Sequence, residues 1–143
     1  NPPRAIVLLI QKEVAERMVA KPGDMSILAV SSQVYANVRL GAVVPAELFT
    51  PPPKVDSQVV VLEMRSSPLV DSTLEKLFFQ AVKAGFSAKR KKLRSSLSSG
   101  LHYSKDEVEE VLASVGISAD ARAEDLSIDD WIRVAHAVKK EGS

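Results

Sequence analysis

The chain has 143 residues, 45% apolar and 26% charged, a length that suits one soluble domain or two small ones able to bury a core. It holds no cysteine, which excludes a disulfide scaffold, a thiol nucleophile and any Cys-ligated zinc or iron–sulfur site. The net charge of +1 conceals an asymmetry that points to an anionic partner: six basic residues and no acid lie between Lys83 and Arg94, and nine acids against two bases between Tyr103 and Asp130.

No charged-then-apolar leader opens the chain. Its longest apolar run, Ala5 to Ile10, is far short of the roughly 20 residues that span a bilayer, so a cytoplasmic protein with no membrane partner is expected. That run is rich in β-branched residues and does not alternate, which predicts a strand buried on both faces, as in a parallel sheet. Gln11 to Ala20 switches to helical spacing, with Val14 and Met18 on one face. Lys21-Pro22-Gly23-Asp24 predicts a stop, a turn and an N-cap at Asp24. A second, largely buried helix is predicted from Met25 to Ala36, then a strand from Val38 to Val44 interrupted by Gly41. Phe49-Thr50-Pro51-Pro52-Pro53-Lys54-Val55-Asp56-Ser57 predicts a stiff extended loop, because three successive prolines fit neither a helix nor a central strand. Val59 to Leu62 is another buried-strand pattern, and Arg65 to Pro68 reads as a linker.

Beyond Pro68 the pattern is helical throughout. Ser72-x-x-Glu75 is a capping-box pattern predicting a helix to about Ala84, with a break at Gly85-Phe86. A second helix is predicted from Ser87 to Ser99, ended by Gly100. Ser104-x-x-Glu107 opens a third, with Val108, Val111, Leu112 and Val115 as its stripe. Ser127-x-x-Asp130 opens a fourth, carrying Ile128, Trp131, Ile132, Ala135 and Val138. Four short amphipathic helices make a small bundle. The predicted class is therefore α/β followed by all-α, divided as 1–65 and 66–143. Two or three strands, the first wholly apolar, do not make a viable parallel sheet alone, so the α/β part reads as though its beginning were missing.

The basic segment is the strongest chemical signal. On a helix from Ser87, Phe86, Leu93 and Leu97 form the core face, Lys91 and Lys92 project opposite, and Lys89, Arg90 and Arg94 flank them. Cations with no acid at i,i+4 suit a phosphate backbone; a solvated helix face is the alternative. Phe49, held by the proline loop, is positioned either to stack on a base or to pack in the seam between sheet and bundle. His102 and His136 lack a spaced carboxylate partner and read as surface or capping residues, Trp131 as core, and Glu109-Glu110 as a solvated face. There is no Gly-rich phosphate or dinucleotide loop, and no metal site is expected.

Several blocks together resemble the KsgA/RsmA family of ribosomal RNA adenine dimethyltransferases. They are Gln11 to Arg17, Ala20 to Asp24, Val44-Pro45, the Phe49 to Ser57 run, Phe86-Ser87-Ala88-Lys89-Arg90-Lys91-Lys92-Leu93-Arg94-Ser95-Ser96-Leu97, Gly116-Ile117 and Arg122 to Ser127. They occur in order over nearly the whole chain. Lys54-Val55-Asp56-Ser57 is more similar to the bacterial small-subunit enzymes than to the related large-subunit resistance methylases. The resemblance implies that 1–65 is the C-terminal portion of a Rossmann-like methyltransferase domain and 66–143 a helical rRNA-binding domain. It implies a parent enzyme that uses S-adenosylmethionine to dimethylate N6 of two adjacent adenosines near the 3′ end of small-subunit rRNA. The cofactor site and the Asn-Leu-Pro-Tyr catalytic motif would lie outside this chain, which alone would be inactive. A monomer acting on the small ribosomal subunit, without metal, is expected.

By the same resemblance Phe49 lies beside the target adenine, Lys89, Arg90 and Lys91 grip rRNA, and Arg17 and Arg122 make further rRNA contacts. Lys92 and Arg94 join them from the charge pattern. Asn1-Pro2-Pro3-Arg4 has only an accidental likeness to an amino-methyltransferase motif: its fourth residue is not aromatic, and a strand follows it instead of preceding it. Asp24-Met25-Ser26-Ile27 lacks the Tyr-Gly usual in the family, so the loop there is expected to be shorter. Two competing readings stand beside this one: a non-catalytic rRNA-binding assembly factor or truncated paralogue, and a helical DNA-binding domain.

Overall fold

A computed structural model of the chain describes residues 4–88 and 90–142. The Asn1-Pro2-Pro3 segment and Lys89 lie outside the described residues. The chain divides into two compact units, one formed by 1–20 with 28–69 and the other by 21–27 with 70–143. The second break falls a few residues beyond the expected 65/66 division, and the 21–27 loop groups with the helices.

The first unit runs β1 (Ala5–Gln11), α1 (Lys12–Met18), α2 (Ile27–Tyr35), β2 (Ala36–Val44) and β3 (Ser57–Met64). Helix α2 begins at Ile27, so Asp24 is not its N-cap. Ala29, Val30 and Val34 are buried while Ile27 and Leu28 are exposed, so the helix is buried along one face only. The sheet order is β1-β3-β2, and both pairings are antiparallel. The expected parallel arrangement is not what the described strands form, because residues 45–56 turn the chain back as a wide loop and lay β3 between the other two strands.

Val60 on the central strand faces Leu8 on one side and Leu40 on the other, and packs with Ala15 and Met18 of α1. Ile10, Val38 and Leu62 complete this small core. Strand β1 is not buried on both faces: Val7 is 65% exposed and Leu9 49%. An apolar run reports composition and not placement, and in this sheet β1 pairs with β3 alone.

Asp56 closes the proline loop. Its carboxylate accepts from the Ala46 N–H at 2.9 Å, and its carbonyl accepts from the Lys12 N–H at 3.0 Å.

The second unit holds α3 (Glu75–Phe86), α4 (Leu93–Leu101), α5 (Lys105–Ser114) and α6 (Ile128–Glu141). The capping boxes at Ser104/Glu107 and Ser127/Asp130 form as the pattern predicts. The one at Ser72/Glu75 does not. Asp71 takes the Thr73 N–H and hydroxyl instead, and α3 starts from Leu74 with no side-chain cap. The turn at Asp71 extends to Leu74, whose N–H donates to the Asp71 carbonyl at 2.9 Å, so the helix starts only at Glu75.

Trp131 is fully buried and anchors the bundle. Gly85 is not a break: it lies inside α3, where an added Cβ would stand 2.4 Å from Trp131 Cη2. Gly100 does not end α4 either. The helix runs to Leu101 and is closed by His102 in the left-handed conformation at φ 60°, with its N–H on the Ser98 carbonyl. The 21–27 loop is tied to the helices because the Gly23 and Met25 N–H groups both donate to the Glu124 carbonyl, at 2.9 and 3.2 Å.

The α6 cap makes a pH prediction. Partial burial opposes ionisation of Asp130, but hydrogen bonds from Ser127 and then Arg133 outweigh it and hold the carboxyl below its ordinary range. A carboxylate with a depressed folded-state pKa contributes stability that is complete above its unfolded value and lost as pH falls through the folded value. Ser127→Ala is expected to cost about 1 kcal/mol at neutral pH. Asp130→Asn should lose stability at neutral pH and show a shallower acid limb in thermal melts between neutrality and strongly acidic pH.

Candidate nucleic-acid interface

The basic segment is a turn ahead of a helix and not a helix. The described residues 87, 88 and 90–92 are irregular, α4 starts at Leu93, and of Arg90, Lys91, Lys92 and Arg94 only Arg94 is helical. The Lys91 N–H donates to the Ala88 carbonyl at 3.2 Å, and between them Arg90 takes φ 71°. This is the left-handed region, which disfavours residues with a Cβ by roughly 1–2 kcal/mol. The cause of the turn is legible afterwards: consecutive cations gain nothing from stacking on the first turn of a helix, whose N-terminus already carries positive partial charge.

The end of this turn that leads into α4 is pinned. The first two N–H groups of α4, which have no intrahelical acceptor, donate to the 118–121 turn: Leu93 to the Ala121 carbonyl at 2.8 Å and Arg94 to that of Ala119 at 3.1 Å. Side chains add to this. Asp120 Oδ1 lies 3.0 Å from Arg94 Nη1 and 3.5 Å from Lys92 Nζ, and Arg94 Nε also donates to Glu109. The Glu109 hydrogen bond, then the charges of Glu109 and Asp120, hold the Arg94 guanidinium still more firmly protonated.

The expected row of unneutralised cations is thereby corrected: Lys92 and Arg94 are paired, and Glu109 is not simply a solvated face. Arg90 and Lys91 are exposed and have no ion pair among the described residues. Asp120 and Glu109 are functional candidates that sequence reasoning misses. They lie 26 and 15 positions from Arg94, and no local spacing signals a contact across helices.

The other candidates have the following local settings. Arg17 is exposed in the last turn of α1 and bonded to Glu13 at 2.7 Å. Arg122 is exposed in the turn before Ala123–Asp125, its backbone N–H held by Asp125 at 3.2 Å. Phe49 is half-buried on extended backbone (φ −99°, ψ 153°), directly after the 3₁₀ turn Ala46–Leu48 of the loop that Asp56 closes. Leu48 before it and Val55 later in the same loop are exposed.

The described residues do not fit a cradle for S-adenosylmethionine. A nucleotide-type cofactor is held where a glycine-rich strand-to-helix turn lets backbone approach it. Here the β1–α1 junction is Gln11-Lys12, and Gly41, Gly85 and Gly100 press on Val59, Trp131 and Ala84. Gly23 and Gly116 face open space at positive φ, but in turns of the helical unit. Among the described residues there is no cluster of three or more His, Cys, Asp or Glu placed to hold a metal, and no helix long and apolar enough to cross a membrane.

A family profile described as ribosomal RNA adenine dimethylase matches residues 1–140. The chain is similar to the ribosomal RNA small subunit methyltransferase A of Desulfitobacterium hafniense, 46% identical over 138 residues that make up 95% of this chain and 49% of that protein. Among solved structures it is similar to a dimethyladenosine transferase from Plasmodium falciparum, with a TM-score of 0.80 and 25% identity over 97% of this chain and 58% of that one. It shares its fold with the 23S rRNA methyltransferase ErmE, at a TM-score of 0.69 and 24% identity over 94% of this chain and 55% of that one. The chain spans about half the length of the curated relatives it matches.

Proposed function

The chain belongs to the ribosomal RNA adenine dimethylase family, and from that premise we propose that it supplies the rRNA grip, and part of the target-base pocket, of a longer S-adenosylmethionine-dependent enzyme. That enzyme dimethylates N6 of two adjacent adenosines near the 3′ end of small-subunit rRNA. Residues 1–65 are read as the C-terminal portion of its Rossmann-like domain and 66–143 as its helical rRNA-binding domain, in a cytoplasmic monomer acting on the small ribosomal subunit. S-adenosylmethionine, when bound, supplies an electrophilic methyl group. Its site is assigned to the part of the parent outside this chain.

The observation that carries this reading is the 88–91 turn. It presents Arg90 and Lys91 as exposed, unpaired cations at the N-terminal end of α4, the end where the helix macrodipole disfavours positive charge. Arg90 also holds a left-handed conformation that its own backbone disfavours. Both features lower the stability of the free chain, and an anionic backbone docked on the turn offsets both. Phosphate contacts of this kind position a protein on RNA, whereas a base stacked on an aromatic provides the local fix. Phe49, on extended backbone in a loop closed at both ends, is assigned that second role. Arg17 and Arg122 are assigned as peripheral phosphate contacts.

Fluorescence anisotropy at matched salt tests the assignment. The 143-residue chain should bind a transcript of the 3′-terminal segment of small-subunit rRNA more tightly than duplex DNA of equal length. Equal affinities would mark a general polyanion binder and overturn the rRNA assignment.

A further inference from the structure

We propose that Asp120 and Glu109 are positioning residues for rRNA binding: by holding Lys92 and Arg94 they fix the 88–91 turn so that Arg90 and Lys91, and not Lys92 or Arg94, meet the RNA phosphates. The inference rests on the rRNA-binding reading above. Among the described residues four cations, Arg90, Lys91, Lys92 and Arg94, lie at the start of α4, and they divide sharply. Lys92 and Arg94 converge on Asp120, at 3.5 and 3.0 Å, and Arg94 is shared between Asp120 and Glu109. Arg90 lies within, and Lys91 at the end of, the turn closed by the Lys91 N–H to Ala88 carbonyl bond, both exposed and without an ion pair among the described residues.

Exposed pairs of this kind contribute little to stability one at a time. Their arrangement fixes geometry instead. One carboxylate bridges two cations, one guanidinium bridges two carboxylates, and the backbone bonds Leu93 to Ala121 and Arg94 to Ala119 repeat the same contact between α4 and the 118–121 turn. A turn clamped at that end can hold the disfavoured Arg90 conformation before RNA arrives, so less ordering is left to binding.

The sign of one substitution separates this from simple electrostatics. Removing an acid beside an RNA site strengthens binding if the acid only masks positive charge, and weakens it if the acid holds the contact residues in place. Asp120→Asn is therefore expected to weaken binding of the 143-residue chain to the 3′-terminal rRNA transcript by about fivefold at fixed salt. The slope of log K against log[salt] should not change, and the thermal midpoint should stay close to that of the parent chain. Asp120→Glu should restore the affinity, and Glu109→Gln should act in the same direction as Asp120→Asn.

Arg94→Lys gives a second reading that leaves net charge untouched. It loses the fork that joins two carboxylates and should also weaken binding. Tighter binding with a steeper slope for Asp120→Asn, or no change in affinity, overturns the positioning role. The double substitution Arg90→Gln with Lys91→Gln separates the two levels: it should lower the slope by about 1.4. An unchanged slope there overturns the assignment of this turn to rRNA, whatever Asp120 does.

Discussion

Gly100→Ala is expected to destabilise the helical unit by about 1–3 kcal/mol, as overpacked core sites do. Helix propensity alone predicts the opposite, a gain of roughly 1 kcal/mol for alanine over glycine inside a helix. Packing decides the sign. An alanine Cβ at position 100 would lie 2.3 Å from Ala84 Cβ and 2.8 Å from Ala84 Cα, and the second of these is backbone that cannot rotate aside. Helices α3 and α4 would have to separate at their closest approach. The measurement is the denaturant midpoint at constant m-value. A double-mutant cycle with Ala84→Gly should show that the alanine costs less once the opposing methyl is gone. A stabilised Gly100→Ala protein would mean that the helices do not meet there. Gly85 is a companion site, since its missing Cβ leaves room for the buried Trp131 ring.

These two glycines show where reading the sequence stops. Both read as punctuation, because glycine after an amphipathic stretch commonly marks a helix end. Both instead mark places where another side chain or backbone comes close, which depends on a partner 16 or 46 positions away. What depends on neighbouring residues was legible: the two capping boxes, the stripes of α5 and α6, the strand ahead of Val44, and His102 as a cap. What depends on three-dimensional placement was not. The apolar Ala5–Ile10 run does not disclose that β1 pairs on one side only, nor the antiparallel return of β3. Ser72-x-x-Glu75 has the same form as the two boxes that do form, but a turn at Asp71 holds Thr73 and Leu74 ahead of the helix, which starts only at Glu75.

The basic segment is the instructive intermediate case. Its charge and its link to an anionic partner were visible in composition. Its division into two presented cations and two clamped ones required Asp120 and Glu109, far off in sequence, to be brought beside it. The acidic stretch that balances the basic one along the chain is, in part, folded directly onto it.

Reversing Lys89, Arg90 and Lys91 to Glu is expected to produce the largest functional effect, a loss of rRNA affinity on the order of a hundredfold at low salt. The salt dependence should fall with it. Each phosphate contact releases condensed counterions, so three lost contacts should reduce the slope of log K against log[salt] by about 2. The three reversals also take the net charge from +1 to −5, and long-range repulsion alone would weaken binding to any polyanion. A control with the same change of charge isolates the local part: Lys76, Lys105 and Lys140 reversed together. Long-range repulsion acts through the Debye length of about 8 Å at physiological salt and fades as salt rises. The control should therefore lose affinity mainly at low salt and approach the parent chain as salt increases. The 89–91 variant should remain weaker throughout, because it has lost contacts as well as charge. If the two triple variants behave alike, the turn before α4 has no privileged place on the RNA, and its strained Arg90 and unpaired Lys91 need another explanation.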